Sequence, residues 1–100
     1  MMPLEIKLHP AAVQEATEAR QWYLDRSPNA ALAFAEALDL AVQQLAEHPN
    51  RWAKYPHGTR HLTLIKFTYV VVYRVAESVI EVVAVAHERR RLGYWQSRTD

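Results

Sequence analysis

The sequence has no cysteine and only two glycines in 100 residues. Without cysteine there are no disulfide bonds, no thiolate ligands for a metal and no cysteine nucleophile. The two isolated glycines, Gly58 and Gly93, exclude a glycine-rich loop that binds phosphate. The longest apolar runs, at residues 69–73 and 82–86, are far shorter than the ~20 residues of a membrane-spanning helix. Charged residues interrupt the first twenty positions, so we expect no signal peptide and predict a cytoplasmic protein.

Histidine occurs five times, but its positions do not form the pattern of a metal site. No carboxylate lies beside these histidines at a typical ligand spacing. They fall in different segments of the chain: His9, His48, His57, His61 and His87. We therefore predict no metal site and no cofactor.

Acidic residues are missing from a long stretch of the second half of the chain. Residues 48–76 contain no Asp or Glu but carry five bases: Arg51, Lys54, Arg60, Lys66 and Arg74. Residues 1–47 have seven acids and three bases, a net charge of −4, whereas residues 48–100 have four acids and nine bases, a net charge of +5. This unequal distribution of charge between the two halves of the chain indicates a surface that binds a polyanion or an acidic partner. Alternatively, the basic residues lie on solvated strand edges.

Length and composition predict one globular domain over residues 1–100, because half of the residues are hydrophobic and 23% are charged. Residues 4–8 alternate apolar and charged side chains, which predicts a half-buried strand. Pro10 suits the first turn of a helix, and the apolar spacing after it predicts a helix over residues 10–25. Ser27 and Pro28 are typical first residues of a second helix, which should end near Glu47 because Pro49 follows.

The second half of the chain has the pattern of a β-sheet. Residues 49–59 are rich in turn-forming residues and are predicted to be a loop. Segments 60–67, 69–75 and 79–86 are β-rich and closely spaced, which predicts an antiparallel meander. The last two segments are almost wholly apolar. Either other parts of the chain cover both faces of these strands, or one face is left to bind a partner. The predicted fold is α+β, in the order β-α-α-β-β-β. A helical hairpin packs on a mainly antiparallel four-stranded sheet, and a short basic C-terminal tail follows.

The tail, residues 87–98, is both basic and aromatic. It contains four arginines, one histidine and the adjacent rings of Tyr94 and Trp95. Guanidinium groups bind phosphate or carboxylate, and flat rings can stack on bases. Alternatively, Tyr94 and Trp95 fold back to close the core while the arginines are only solvated. The two interpretations are compatible, because a packed ring could hold the arginines in position.

Three segments together resemble the RelE/ParE superfamily of toxins from bacterial toxin–antitoxin systems. They are residues 47–49 (EHP), 69–75 (YVVVYRV) and 83–90 (VAVAHERR). The resemblance covers nearly the whole chain and includes its length, the order of its elements and its basic aromatic tail. It implies a small cytoplasmic toxin that a cognate antitoxin neutralises by wrapping a helical C-terminal segment around it.

The superfamily offers two different actions. ParE-like members poison DNA gyrase by protein contact, whereas RelE-like members cleave messenger RNA on the ribosome. RelE-like enzymes use two lysines on one strand and an arginine on the next, and the matching positions here are His61, Thr63 and Val70. A second arginine of the RelE-like site falls at Glu88 or, with a shift of one, at Arg89. The C-terminal tyrosine of that site is kept, at Tyr94.

The resemblance therefore favours a ParE-like toxin without catalytic residues, with DNA gyrase as its target. One alternative is a RelE-like ribonuclease that acts on ribosome-bound messenger through His87, Arg89 and Tyr94. The other alternative is a degenerate interaction module without toxicity. The candidate target-binding residues are Arg60, Arg74, His87, Arg89, Arg90, Arg91, Tyr94 and Trp95.

Overall fold

The computed structural model describes residues 4–99, in which two helices lie on one face of a five-stranded sheet. The first elements are β1 (Glu5–Leu8), α1 (Pro10–Leu24) and α2 (Pro28–Glu47). The remaining strands are β2 (Ala53–Tyr55), β3 (Thr59–Leu64), β4 (Tyr69–Ala76) and β5 (Val79–His87). Two short 3₁₀ turns, Ile65–Phe67 and Gln96–Arg98, follow β3 and end the tail. Neither α-helix in this part of the chain is long and apolar enough to cross a membrane.

The helical hairpin begins and ends where local sequence signals predict. Pro28 occupies the first turn of α2, and the Ser27 hydroxyl accepts a hydrogen bond from the Ala30 N–H at 3.3 Å. Pro10 starts α1 in the same way, and its cap is His9, whose Nδ1 accepts from the Ala11 N–H at 3.0 Å. The predicted helices are confirmed, but the capping role of His9 was not foreseen.

The sheet has five strands in the order β1-β5-β4-β3-β2. Strands β2 to β5 pair antiparallel, which confirms the meander, while β1 pairs parallel with β5. The prediction of four strands was wrong because β2 lies in the segment expected to be a loop. With only three residues, β2 is too short to show the alternation that predicts a strand. His57 and Gly58, both at positive φ, make the tight turn that pairs it with β3.

The helices cover one face of the sheet and form the main core. Phe34 and Leu45 of α2 pack with Val71 and Tyr73 of β4 in this cluster. The Tyr23 hydroxyl donates to the Phe67 carbonyl at 2.9 Å, which ties the end of α1 to the 3₁₀ turn after β3.

The tail covers the opposite face. Trp95, only 2% exposed, packs with Val70, Val72 and Val83, and its ring stacks on Tyr55 with centroids 5.2 Å apart. Both faces of β4 and β5 are therefore covered by the chain itself, the first of the two alternatives that their apolar sequences allowed.

Gly93 lets the tail approach the β2–β3 turn. Its φ is 85°, a left-handed conformation that favours glycine. A Cβ at this position would also lie 2.9 Å from Nε2 of His57. The backbone conformation therefore favours glycine here, and a Cβ would in addition require the exposed His57 ring to move.

Candidate functional site

The candidate target-binding residues lie at two opposite ends of the sheet. His87 pairs with Tyr69 at one end, and Arg74 pairs with Glu81 near the other. These pairs are five residues apart along β4, which is roughly 17 Å at 3.4 Å per residue. The tail residues 89–91 follow directly from the His87 end, whereas Arg60 and Arg74 lie at the opposite end.

A cleft of about 250 Å³ lies between α1 and the end of β5. It is lined by Glu15, Glu18, Ala19, Trp22, Tyr69, Val85, His87 and Arg90. Nε2 of His87 lies 3.2 Å from the Thr68 hydroxyl, and the His87 ring meets the edge of Tyr69 at 5.2 Å. Opposite charges and aromatic rings thus meet in one depression beside the tail.

The Glu15 carboxylate joins α1 to both β5 and the tail. Its oxygens accept a hydrogen bond from the Tyr94 hydroxyl at 2.6 Å and two from Arg98 at 2.8 and 3.1 Å. Glu15 also accepts from the Val85 N–H at 3.1 Å, and Arg98 donates to the Val83 carbonyl at 3.0 Å. We name Glu15, Tyr94 and Arg98 the tail clamp.

The position of the tail clamp follows from the geometry of the sheet. Strand β1 pairs with β5 only as far as Leu8 opposite Val82. A β-bulge lies just beyond, between the pairs Val72–Ala84 and Tyr73–Val82. The bulge turns polar backbone groups of β5 towards an edge that β1 no longer covers, and the tail clamp supplies their hydrogen-bond partners.

The tail clamp favours the protonated forms of Tyr94 and Arg98. Burial, reinforced by the hydrogen bond to Glu15, raises the pKa of Tyr94 far above its usual value of 10. The hydrogen bond to Glu15 raises the pKa of Arg98 as well. The raised pKa values keep the Tyr94 hydroxyl as a donor and Arg98 as a cation further into the alkaline range than usual.

The arginine run is the exposed part of the tail. Arg89, Arg90 and Arg91 are all exposed, and the Arg90 guanidinium stacks over Tyr94 at 4.0 Å from the ring centroid. The backbone N–H of Arg89 donates to Nδ1 of His87 at 3.1 Å. The Tyr94 ring thus supports the Arg90 guanidinium. We name the exposed residues 89–91 the arginine surface.

The positions that match the RelE-like cations lie on β3 and β4. Thr63 is the register partner of Val70, and Val70 is buried beneath Trp95. His61 packs against Tyr55 at 3.9 Å between ring centroids. This face of the sheet therefore carries an apolar and aromatic layer where the RelE-like resemblance requires cations.

Glu15 and Arg98 were missed as site residues by the sequence argument. Glu15 lies three residues after Ala12 and four before Ala19, the two buried positions of α1. A carboxylate at that spacing faces the protein and requires a partner, a signal that could have identified Glu15. No comparable signal marked Arg98, because an irregular tail has no periodicity from which the position of its last residues could be predicted. Within residues 4–99, no group of three His, Asp or Glu side chains is placed to hold a metal ion.

Comparison with known proteins agrees with this architecture. The profile of the family described as ParE toxin of the type II toxin–antitoxin system, parDE, matches residues 6–92. Toxin ParE2 of Mycobacterium tuberculosis is 26% identical over 87 residues, covering 86% of this chain and 83% of that protein. Toxin RelE2 of Caulobacter vibrioides is 32% identical over 79 residues, covering 79% of this chain and 89% of that protein.

Two solved structures share the fold. A chain of the chromosomal ParDE system from P. aeruginosa has a TM-score of 0.74 and 22% identity, covering 84% of this chain and 95% of its own length. A chain of the RelBE2 toxin–antitoxin complex from Mycobacterium tuberculosis has a TM-score of 0.57 and 19% identity, covering 85% and 98%.

Fold and family together define the class as the RelE/ParE superfamily of toxins. Within it, the chain belongs to the ParE toxin family of type II toxin–antitoxin systems. The resemblance found in the sequence is thereby confirmed.

Proposed function

We propose that this toxin arrests bacterial growth by inhibiting DNA gyrase through protein contact, and that a cognate antitoxin neutralises it. The observation that carries the proposal is the closed layer over β3 and β4. Val70 lies under Trp95 at a position where a ribonuclease of this superfamily has an arginine. A buried valine cannot stabilise the negative charge that develops on phosphate during RNA cleavage.

The environment of Tyr94 supports the same conclusion. A general acid or base works best with a pKa near the operating pH, whereas the pKa of Tyr94 is raised well above 10. Its hydroxyl already donates to Glu15 at 2.6 Å. Tyr94 is thus engaged in holding the tail.

The arginine surface is the proposed contact with gyrase. Its guanidiniums are exposed and begin directly after a buried strand, so they project from a rigid base. Arginine is enriched in protein interfaces, where its planar group makes several hydrogen bonds at once. His87 and Tyr94 flank this surface, whereas buried Trp95 contributes to the core.

An apolar groove supports the antitoxin as partner. The groove has a volume of about 370 Å³ and lies between α2 and the end of β3. Leu40 is 55% exposed and Ile65 is 88% exposed along it. Exposed apolar residues in one groove fit the apolar face of a partner helix. The structures similar in fold include a toxin–antitoxin complex from Mycobacterium tuberculosis, which is in line with this partner.

The second candidate function is messenger cleavage on the ribosome. It is favoured by the relative named RelE2 and by the cleft beside α1, which His87 and the neighbouring Arg90 both line. His87, Arg89 and Tyr94 would then supply charge stabilisation and proton transfer.

The test begins with induction of the toxin alone in a bacterial host. We expect growth arrest with DNA-damage signalling, and loss of gyrase supercoiling activity when purified toxin is added. Codon-specific cuts in ribosome-bound messenger that disappear in Arg89→Ala and Tyr94→Phe would instead establish the ribonuclease. Normal growth of the induced host would favour the degenerate module.

The arginine surface is tested with the double variant Arg90→Ala, Arg91→Ala. We expect weaker growth arrest and an unchanged melting temperature, because surface substitutions usually change stability by within about 0.5 kcal/mol. The matched control, Arg20→Ala with Lys66→Ala, removes two exposed cations elsewhere and should remain toxic. A double variant that stays folded and fully toxic would exclude the arginine surface as the target contact.

A further inference from the structure

The turn between β3 and β4 contains a threonine in a backbone conformation that threonine rarely adopts. Thr68 has a φ of 53°, in the left-handed region, where a β-branched side chain is disfavoured. Thr68 is exposed, so burial in the core does not hold it there. Its hydroxyl donates to the Phe67 carbonyl at 2.7 Å, and its own carbonyl accepts from the Glu88 N–H at 2.8 Å. These bonds fasten the turn to the residues that follow β5.

His87 connects the same turn to the arginine surface. Nδ1 of His87 accepts from the Arg89 N–H at 3.1 Å, and Nε2 lies 3.2 Å from the Thr68 hydroxyl. A backbone N–H can only donate, so Nδ1 carries no proton and the imidazole is neutral. Its proton is then on Nε2, which donates to the Thr68 oxygen, while the Thr68 hydroxyl donates to the Phe67 carbonyl. Donor and acceptor roles agree throughout, and we name these hydrogen bonds the histidine relay.

The histidine relay holds the backbone from which the arginine surface begins. Residues 87–90 form a turn in which the Arg90 N–H donates to the His87 carbonyl at 2.9 Å. The bond from the Arg89 N–H to the imidazole lies inside this turn and has the two-residue spacing of an Asx turn. The N–H groups of residues 88 and 90 donate to backbone carbonyls, whereas that of Arg89 depends on a side chain. The protonation of His87 therefore acts directly on the backbone of Arg89.

Charged and titratable groups face His87 from α1, from β4 and from the tail. They line the same cleft and are Glu15, Glu18, Tyr69 and Arg90. The two carboxylates attract an imidazolium, and the Arg90 guanidinium repels it. An imidazolium carries a second proton at Nδ1, directed at the Arg89 N–H. Two donors cannot bond to each other, so protonation of His87 breaks the bond that holds Arg89.

We propose that neutral His87, with its proton on Nε2, positions the backbone of Arg89 for contact with the target, and that protonation of His87 releases it. His87 is in this role a positioning residue and does not itself contact the target. Thr68 selects the tautomer by accepting from Nε2. The inference rests on the proposed function, in which the arginine surface makes the contact.

The first experiment reads the protonation of the imidazole in the intact toxin by long-range ¹H–¹⁵N correlation spectroscopy. At about pH 8 we expect Nδ1 of His87 to resonate as an unprotonated nitrogen and Nε2 as a protonated one. His9 provides the reference, because its Nδ1 accepts from the Ala11 N–H at the same spacing. The Arg89 amide resonance should follow the ring as the pH falls to about 5. A proton on Nδ1 at the higher pH, or an Arg89 amide that ignores protonation of the ring, would overturn the inference.

The second experiment compares variants in growth arrest and in inhibition of gyrase supercoiling by purified toxin. His87→Ala removes the acceptor for the Arg89 N–H, and we expect inhibition about fivefold weaker, the equivalent of one hydrogen bond. His87→Asn should recover most of this loss, because an Asn oxygen accepts from the N–H two residues further on. Thr68→Val removes the acceptor for Nε2 and should weaken inhibition by a smaller factor.

His9→Ala is the matched control, because it removes the same kind of bond at the start of α1 and should leave inhibition unchanged. Melting temperatures are measured for every variant. Thr68→Val changes an exposed residue and keeps the imidazole, so it tests the histidine relay even where His87→Ala is unstable.

Two results of the second experiment would overturn the positioning role. One is a folded His87→Asn as weak as His87→Ala, which would show that the ring itself contacts the target. The other is full inhibition by His87→Ala. A wild type that arrests growth without inhibiting gyrase would contradict the proposed function alone, because the order of the variants is then read from growth arrest. A wild type that does not arrest growth would contradict both.

Discussion

Removal of the Glu15 carboxylate should loosen the whole tail, because this one side chain accepts four hydrogen bonds from three residues of β5 and the tail. In Glu15→Ala, the Arg98 guanidinium, the Tyr94 hydroxyl and the Val85 N–H all lose their acceptor. The side chains of Glu15 and Arg98 are only 15% and 17% exposed, so water replaces these bonds incompletely.

The size of the effect follows from this partial burial. Breaking a fully buried ion pair from one side costs about 3–5 kcal/mol. Residual exposure of both partners lowers that cost, and we expect a loss of about 2–3 kcal/mol in the free energy of unfolding. For a chain of this length, such a loss lowers the melting temperature by roughly 8–24 °C.

The assay is urea and thermal unfolding of three variants followed by circular dichroism. Glu15→Gln keeps an acceptor for Tyr94 but loses the charge that faces Arg98, so it should fall between wild type and Glu15→Ala. Glu18→Ala is the matched control: Glu18 lies one turn away on α1, is exposed and accepts a hydrogen bond from Gln14. Its effect should stay within about 0.5 kcal/mol. If Glu15→Ala were no more destabilising than Glu18→Ala, the tail clamp would have no role in stability.

Two further predictions concern the two faces of the sheet. Trp95→Ala should destabilise the protein by about 3–5 kcal/mol, because the ring is buried on β4 and β5; a melting temperature equal to that of the wild type would contradict its place in the core. Burial raises the pKa of Tyr73 to about 12, so the folded protein keeps a proton that the unfolded chain releases near pH 10. Stability should therefore fall by on the order of 2 kcal/mol between pH 10 and 12, measured by urea unfolding. Tyr73→Phe should lack that part of the decline, and an identical alkaline decline in the variant would refute the assignment.

Local signals in the sequence were sufficient to predict the helical hairpin and the antiparallel meander. The ends of the helices are marked by Pro10, the Ser27–Pro28 pair and Pro49. These residues restrict φ or cap backbone N–H groups, and both effects act within a few residues. The paired apolar segments of β4 and β5 identified the centre of the sheet in the same way. The family resemblance depended on these same segments.

The strand β2 could not be predicted from its own residues. Three residues carry no periodicity, and the strand exists because β3 offers hydrogen bonds across the turn at His57 and Gly58. That pairing also brings Lys54 beside Arg60.

The sequence by itself determined the class of protein, the order of the elements and the excess of arginine in the tail. Only the tertiary structure decided which of those arginines is paired and partly buried and which are exposed. Arg98 is drawn into the tail clamp because Glu15, 83 positions earlier, satisfies its charge at a bare edge of β5. Arg89 and Arg91 remain exposed. The physical reason is that burial of a charge requires a partner, and no local pattern of the chain reveals a partner that distant.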